Sequence, residues 1–248
     1  YRSYAVSLDY AARVESNRSG YSYSSILSAM DPGLYDLGDA EFYQFAILSD
    51  GYSGMFSAAQ LNSFIDSMVV YQEKAYGVTS KLRGTGQYFI DAAKQYGVNE
   101  VYLLAHAALE SAWGCSALSQ GTVSGYKGYY NFYGIGAYDI DPNNGGAALA
   151  KSEGWNTVEK AIKGAARWIS NNYINPTVSS ASGSGAQNTL YKMRWDLQRL
   201  ENGADPWHQY ATSPTWATGI AQVMARAYSG AGLSPSETGL RFEVPDFN

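Results

Sequence analysis

The stretch Asn99–Gly114, reading NEVYLLAHAALESAWG, constrains what this chain can fold into more than any other. From Val101 to Trp113 every residue is apolar except His106, Glu110 and Ser111, and a helix apolar around its whole circumference is stable only when protein surrounds it. Asn99 reads as its N-cap and Gly114 as its stop. A domain is therefore expected to form around this helix, with Glu110 near its C-terminal end. Taking an ionised carboxylate out of water costs several kcal/mol, so such a group either finds a cation or keeps its proton. A carboxyl protonated near neutral pH is what a general acid requires. The ordinary alternative is a rim position paired with an Arg or Lys.

The rest of the composition narrows the function classes. At 248 residues and 46% hydrophobic, the chain can bury a substantial core as one large domain or two small ones. It holds no apolar run of the roughly eighteen residues that a membrane span requires. Its start, Tyr1-Arg2-Ser3-Tyr4, has neither an initiator Met nor a signal-peptide pattern, as expected of a piece of a longer protein. A net charge of −5 with no cluster of basic residues argues against nucleic acid as a partner. The 22 Tyr and 6 Trp offer flat apolar faces with polar edges, suited to sugar rings as well as to packing. The lone Cys115 excludes an intramolecular disulfide or a cysteine-based zinc site, and reads as a small buried residue. With only His106 and His208 and no metal-binding or nucleotide-binding motif, no cofactor and no metal are expected.

Along the chain, Tyr4–Val14 and Phe42–Leu48 have helical spacing, and Asp31-Pro32-Gly33 marks a turn. Ser57 with Gln60 forms a capping box for a helix through Leu61, Phe64, Ile65, Met68 and Val69. A helix is predicted from Gln87 to Tyr96, closed by Gly97. After the central helix, Ser116–Gly128 reads as loop. Asn156–Glu159 resembles a capping box that opens a helix to about Asn172. Val178–Ala186 is a Ser/Gly loop, and a last helix starts at Ser213-Pro214 and stops at Gly230. Leu240–Phe247 reads as an extended tail packing back on the body.

Several short runs carry a resemblance. Glu110-Ser111-Ala112-Trp113-Gly114 resembles the ESxWG signature of lysozyme-like glycoside hydrolases. Asn131-Phe132-Tyr133-Gly134-Ile135 resembles the N-[LF]-[FY]-G-I motif of the family 73 endo-β-N-acetylglucosaminidases. Gln187–Trp195, QNTLYKMRW, is similar to a run in the glucosaminidase domains of staphylococcal-type autolysins, and Tyr210-Ala211-Thr212 resembles the family's YAT motif. ESxWG alone is a weak signal, but four motifs in the family's order over roughly residues 84 to 230 are a strong one.

The resemblance implies a mainly α, α+β lysozyme-like fold with a helical catalytic core and a short β-hairpin lobe. The expected division is an N-terminal helical subdomain at 1–78 and a catalytic domain at 79–248, with a mobile β lobe at about 136–155. It further implies a secreted, cell-wall-associated bacterial peptidoglycan hydrolase, an autolysin acting in cell separation. That enzyme cleaves the β-1,4 bond after N-acetylglucosamine. Its partners would be peptidoglycan glycan strands, with no nucleic acid and no membrane insertion. The chain would be a monomeric catalytic fragment of a larger protein with cell-wall-binding repeats. A muramidase or lytic transglycosylase on the same fold, and a catalytically silent glycan-binding module, are the alternatives.

Glycoside hydrolysis needs an acid for the leaving oxygen and a group that attacks or stabilises the developing cation. Glu110 takes the first role. For the second, Asp139, within GIGAYD, ranks ahead of Asp141, which reads as a turn residue, and of Glu153, which reads as solvated. An N-acetyl oxygen attacking C1 would need no second carboxylate, but would need a group such as Tyr210, whose counterpart in the family faces the acid, to orient the amide. His106, four residues before Glu110 and on the same helix face, reads as a core histidine hydrogen-bonded to backbone, ahead of the alternative that it tunes the acid's pKa. Asn131, Phe132, Tyr133, Tyr138, Trp155, Tyr191 and Trp195 are the candidate groove residues, with about half of the aromatics expected in the core.

Overall fold

A computed structural model describes residues 1–137, 141–175 and 183–248. Its contacts divide the chain into two compact units, one of 51–169 and one built from 1–50 together with 170–248. This is not the expected division at residue 78. The first fifty residues fold with the end of the chain, because β1 (Arg2–Tyr4) pairs in parallel with β2 (Pro245–Phe247).

In this discontinuous unit, α1 (Leu8–Ser19) is capped by the Ser7 hydroxyl, which accepts from the Tyr10 N–H at 3.2 Å. α2 (Tyr23–Met30) follows, then a 3-10 turn at Pro32–Leu34 capped by Asp31, where the sequence marked a turn. A second 3-10 segment, Ala40–Phe45, overlaps the helical spacing of Phe42–Leu48.

The continuous unit, 51–169, holds the central helix. α3 (Ala58–Tyr76) opens with the predicted Ser57/Gln60 capping box, and Leu61, Ile65 and Val69 are its buried stripe. α4 (Gly86–Tyr96) ends at Gly97 in the left-handed conformation and packs on α3, on α5 (Glu100–Glu110) and on the helix Val158–Ile169. α5 starts where Asn99 accepts from the Tyr102 N–H at 2.9 Å, and every residue from Glu100 to Ala108 is buried. A short α6 (Ala117–Gln120) interrupts the expected loop. The region expected to carry a β-hairpin instead forms α7 (Pro142–Ser152), with Asp141 as N-cap and Pro142 at its first turn. No strand occurs in this unit among the described residues. α8 (Val158–Ile169) is capped by Thr157, whose hydroxyl accepts from the Lys160 N–H at 3.2 Å, while Asn156 holds the Lys160 ammonium at 3.0 Å.

The discontinuous unit resumes with a π-helical turn, Ser170–Ile174, and continues through α9 (Leu190–Trp195), α10 (Leu197–Glu201) and α11 (Trp216–Gly230). α11 lies along the 3-10 segment, with Tyr43 stacked on Tyr228 at 5.5 Å. The extended tail does pack back: Ala46 bridges Phe242, and β2 joins β1. Among the described residues the fold is mainly helical, with this two-stranded pair as its only regular sheet. No described helix is long and apolar enough to cross a membrane.

Candidate active site

The central helix stops earlier than its apolar run predicts. Glu110 is its last residue, and after Ser111, at φ −106°, three residues turn left-handed: Ala112 and Trp113 at φ 49° and 55°, then Gly114 at 77°. A residue with a Cβ costs about 1 kcal/mol in that conformation, so two in succession persist only where neighbours enforce them. The enforcement is visible. The Ser111 hydroxyl donates to the Ala107 carbonyl and accepts from the Gly114 N–H at 2.8 Å. The Ser80 hydroxyl donates to the Trp113 carbonyl, and the Lys81 N–H reaches the Gly114 carbonyl at 3.2 Å. A Cβ at 114 would lie 2.8 Å from the Ser80 hydroxyl and 2.9 Å from the Leu82 nitrogen, so only glycine fits. Ser80 is itself fixed, its N–H donating to Glu73 at 2.8 Å. The Arg83 fork on that carboxylate, together with the Ser80 bond, holds the Glu73 pKa down to about 2.

This turn ends the helix with the Glu110 carboxylate at the edge of the core, its side chain 25% exposed. Gly134 closes on it from the NFYGI run. With φ at 64°, a Cβ there would sit 3.1 Å from Glu110 Oε2. One turn back, His106 is fully buried, and desolvation lowers its pKa to about 3, so its ring is neutral. Its Nδ1 is 3.0 Å from the Tyr102 hydroxyl, and the Tyr133 ring meets it edge-on at 5.2 Å. Its Nε2 lies 4.0 Å from Glu110 Oε1, where an uncharged ring brings no cation to the carboxylate.

In the discontinuous unit, Tyr210 sits in the non-helical turn before α11. Its N–H donates to the Met193 carbonyl at 2.9 Å, and its ring stacks on Trp216 at 5.1 Å and tilts against Tyr173 at 5.3 Å. Next to it, the His208 Nδ1 lies 2.6 Å from the Gln187 side-chain oxygen, which makes Nδ1 the protonated nitrogen of the neutral ring. The His208 N–H reaches Asp196 at 2.9 Å, and burial raises the Asp196 pKa to about 6.

The expected groove residues stand differently. Asn131, Phe132, Tyr133, Trp155, Tyr191 and Trp195 are at most 2% exposed. Asn131 is consumed by its own loop, donating to the Ile135 and Gly146 carbonyls at 2.8 and 3.1 Å and accepting from the Tyr133 N–H. The Tyr133 hydroxyl donates to the Leu103 carbonyl at 3.0 Å, and Trp155 packs on α8 at Gly164, where a Cβ would come 2.1 Å from its Nε1. Tyr191 and Trp195 join the core of α1 and α2, with the Tyr191 hydroxyl on the Met30 carbonyl. Ring faces enclosed in this way present no surface to a sugar, a correction that follows from large aromatics being the best core fillers available. Tyr138 and Asp139 lie outside the described residues. Of the other acids, Asp141 accepts from the Asn144 N–H at 3.3 Å as the cap of α7, and Glu153 pairs with Arg167 at 2.8 Å. Ser80, Gly134 and the Tyr102–His106 pair were not assigned to the site from sequence. Gly134 had a signal in its place within the NFYGI motif, and His106 had one in its spacing of four residues from Glu110.

Residues 86–229 match the family model described as Glucosaminidase: mannosyl-glycoprotein endo-beta-N-acetylglucosaminidase. The chain belongs to this glucosaminidase family. It is 37% identical over 226 residues to a beta-N-acetylglucosaminidase of Bacillus subtilis (strain 168), covering 91% of this chain and 22% of that protein. It is equally 37% identical over 245 residues to a bifunctional autolysin of Staphylococcus aureus (strain COL), covering 95% of this chain and 17% of that protein. The chain thus spans about a fifth of these relatives' lengths. Among solved structures, a crystal structure of S. aureus autolysin E, in a catalytic glutamate-to-alanine mutant bound to the disaccharide NAG-NAM, superposes with a TM-score of 0.70. That chain is 25% identical, with 98% of this chain and 99% of that one covered.

Proposed function

We propose that this chain is an endo-β-N-acetylglucosaminidase that hydrolyses the β-1,4 bond after N-acetylglucosamine in peptidoglycan, with Glu110 as general acid. One observation carries the assignment: the Glu110 carboxylate is delivered to the edge of the core by a buried helix and a left-handed turn that together leave its side chain 25% exposed. A helix terminated this way fixes an acid where a glycosidic oxygen can reach it, and strain held at such a point is characteristic of functional sites. Family membership supports the reading, as do the names of the Bacillus beta-N-acetylglucosaminidase and the Staphylococcus autolysin and the catalytic glutamate-to-alanine mutant of autolysin E.

In this reading Glu110 donates its proton to the leaving oxygen as the C1–O bond breaks. The cationic sugar is met by the Asp139 carboxylate or by the substrate's own N-acetyl oxygen, and Tyr210 orients that amide. Water then completes hydrolysis and the proton returns to Glu110. The whole protein acts on the cell wall as a secreted autolysin, with glycan strands as its partner.

Digestion of purified peptidoglycan by the wild type and by Glu110→Gln, followed by borohydride reduction and mass spectrometry, tests this. Reduced N-acetylglucosamine ends from the wild type and none from Glu110→Gln are expected. Reduced muramic ends or anhydro ends would overturn the bond assignment in favour of a muramidase or transglycosylase. Undiminished cutting by Glu110→Gln would overturn the acid.

A further inference from the structure

Tyr210 lies in a stretch with no helix or strand, yet its position is set by a buried charge. Arg194, on α9, is 0% exposed, and its guanidinium addresses the Tyr210 turn at several points. Nε donates to the Ser213 carbonyl at 2.8 Å and Nη2 to the Thr212 carbonyl at 2.7 Å. Nη1 reaches the Gln209 side-chain oxygen at 3.3 Å, and both terminal nitrogens are 3.1 Å from Glu15 Oε1 on α1. Gln209 closes the circuit, its amide donating to Glu15 Oε2 at 2.9 Å. On the other side of Tyr210, the carbonyl of Met193, the residue next to Arg194, accepts the Tyr210 N–H. Two adjacent α9 residues therefore grip the chain before and after Tyr210, and Trp216 and Tyr173 hold its ring.

A buried ion pair is weak evidence for stability, because apolar residues of the same volume stabilise a core as well. What the planar guanidinium supplies, and an apolar residue does not, is direction. Carbonyls of consecutive residues aimed at one rigid fork fix the peptide planes of the turn. We propose that Arg194, braced by Glu15 and Gln209, is the positioning residue for Tyr210, holding its hydroxyl where it orients the substrate. The assignment rests on the reading of Tyr210 under the proposed function.

A double-mutant cycle tests it, measuring kcat and KM for reducing-end release from purified peptidoglycan. Arg194→Lys keeps the charge but replaces the planar fork with a compact ammonium that cannot aim at the two carbonyls and the carboxylate together. It is expected to lower kcat at least about tenfold, since small misplacements of an orienting group cost that much. In a Tyr210→Phe background the same substitution should cost less than about twofold, because coupled residues lose their effect together. Equal losses in both backgrounds would overturn the positioning role and leave Arg194 as a structural residue. Full activity of Tyr210→Phe would overturn both the role of Tyr210 and that of Arg194, while Glu110→Gln would still report independently on the hydrolase assignment. If Arg194→Lys shows no cooperative melt, Gln209→Met, half-buried at the edge of the cluster, runs the same cycle with the same criteria.

Discussion

Gly134 lies against the carboxylate of Glu110 so closely that a methyl group on its Cα would stand 3.1 Å from Oε2. This contact joins two motifs that are separate in the sequence, ESAWG and NFYGI, and gives the glycine two reasons to be there. Its φ of 64° excludes side chains at low cost, and its missing side chain leaves room beside the acid. Gly134→Ala should therefore fold with a melting temperature lowered by an effect of about 1 kcal/mol, while kcat on peptidoglycan falls by about tenfold or more as the carboxylate is displaced. Wild-type kcat in Gly134→Ala would show that the contact has no bearing on the reaction.

Ser111 staples the end of the central helix to the left-handed turn through both its donor and its acceptor. Ser111→Ala leaves the buried Gly114 N–H without this partner, at a cost of about 1–3 kcal/mol. Urea denaturation should show a lower midpoint with an unchanged slope. Activity should fall as well, because the staple fixes the residue immediately after Glu110.

The neutral His106 makes stability depend on pH. Its folded pKa of about 3 lies below its unfolded value of about 6.5, so between the two the unfolded chain binds the extra proton. Stability is then full above about pH 6.5 and declines as pH falls, by at most about 1.4 kcal/mol per unit. Melting temperatures of the wild type and His106→Gln between pH 4 and 7 should converge toward acid, with the substitution removing part of the acid-side slope. Parallel curves would refute the buried neutral ring.

Asp196 works in the opposite sense. Its folded pKa, raised to about 6 by burial, means that the folded chain keeps a proton the unfolded chain has lost, so stability drops as pH rises from about 4 to 6. Asp196 also adopts φ 48°, which Asn tolerates, and Asn can still accept from the His208 N–H. Asp196→Asn should therefore raise the melting temperature at pH 8, by an effect on the order of 1 kcal/mol, and leave it nearly unchanged at pH 4. Calorimetry at the two pH values decides.

How much was legible in the sequence follows from the range of the forces involved. Local physics fixed the starts of α3 and α5, because the Ser57/Gln60 box and the Asn99 cap satisfy backbone groups within a few residues of themselves. It also marked Glu110 as a carboxylate on a helix that had to be buried. Tertiary structure decided the rest. The helix stopped at Glu110 instead of Trp113 because Ser80 and Leu82, distant in sequence, enforce a left-handed turn that local propensity disfavours. Tyr191 and Trp195 belong to the core instead of a groove because α1 and α2 arrive there from the other end of the chain. The helix at Pro142–Ser152 replaced the expected hairpin, since Asp141 and Pro142 supply a cap and a first turn that outweigh the glycines following them. The grip of Arg194 and Glu15 on the Tyr210 turn spans 179 residues of sequence. Periodicity and caps report only on near neighbours. Which aromatic faces solvent, and which arginine aims a tyrosine, is settled by surfaces that meet only once the chain has closed on itself.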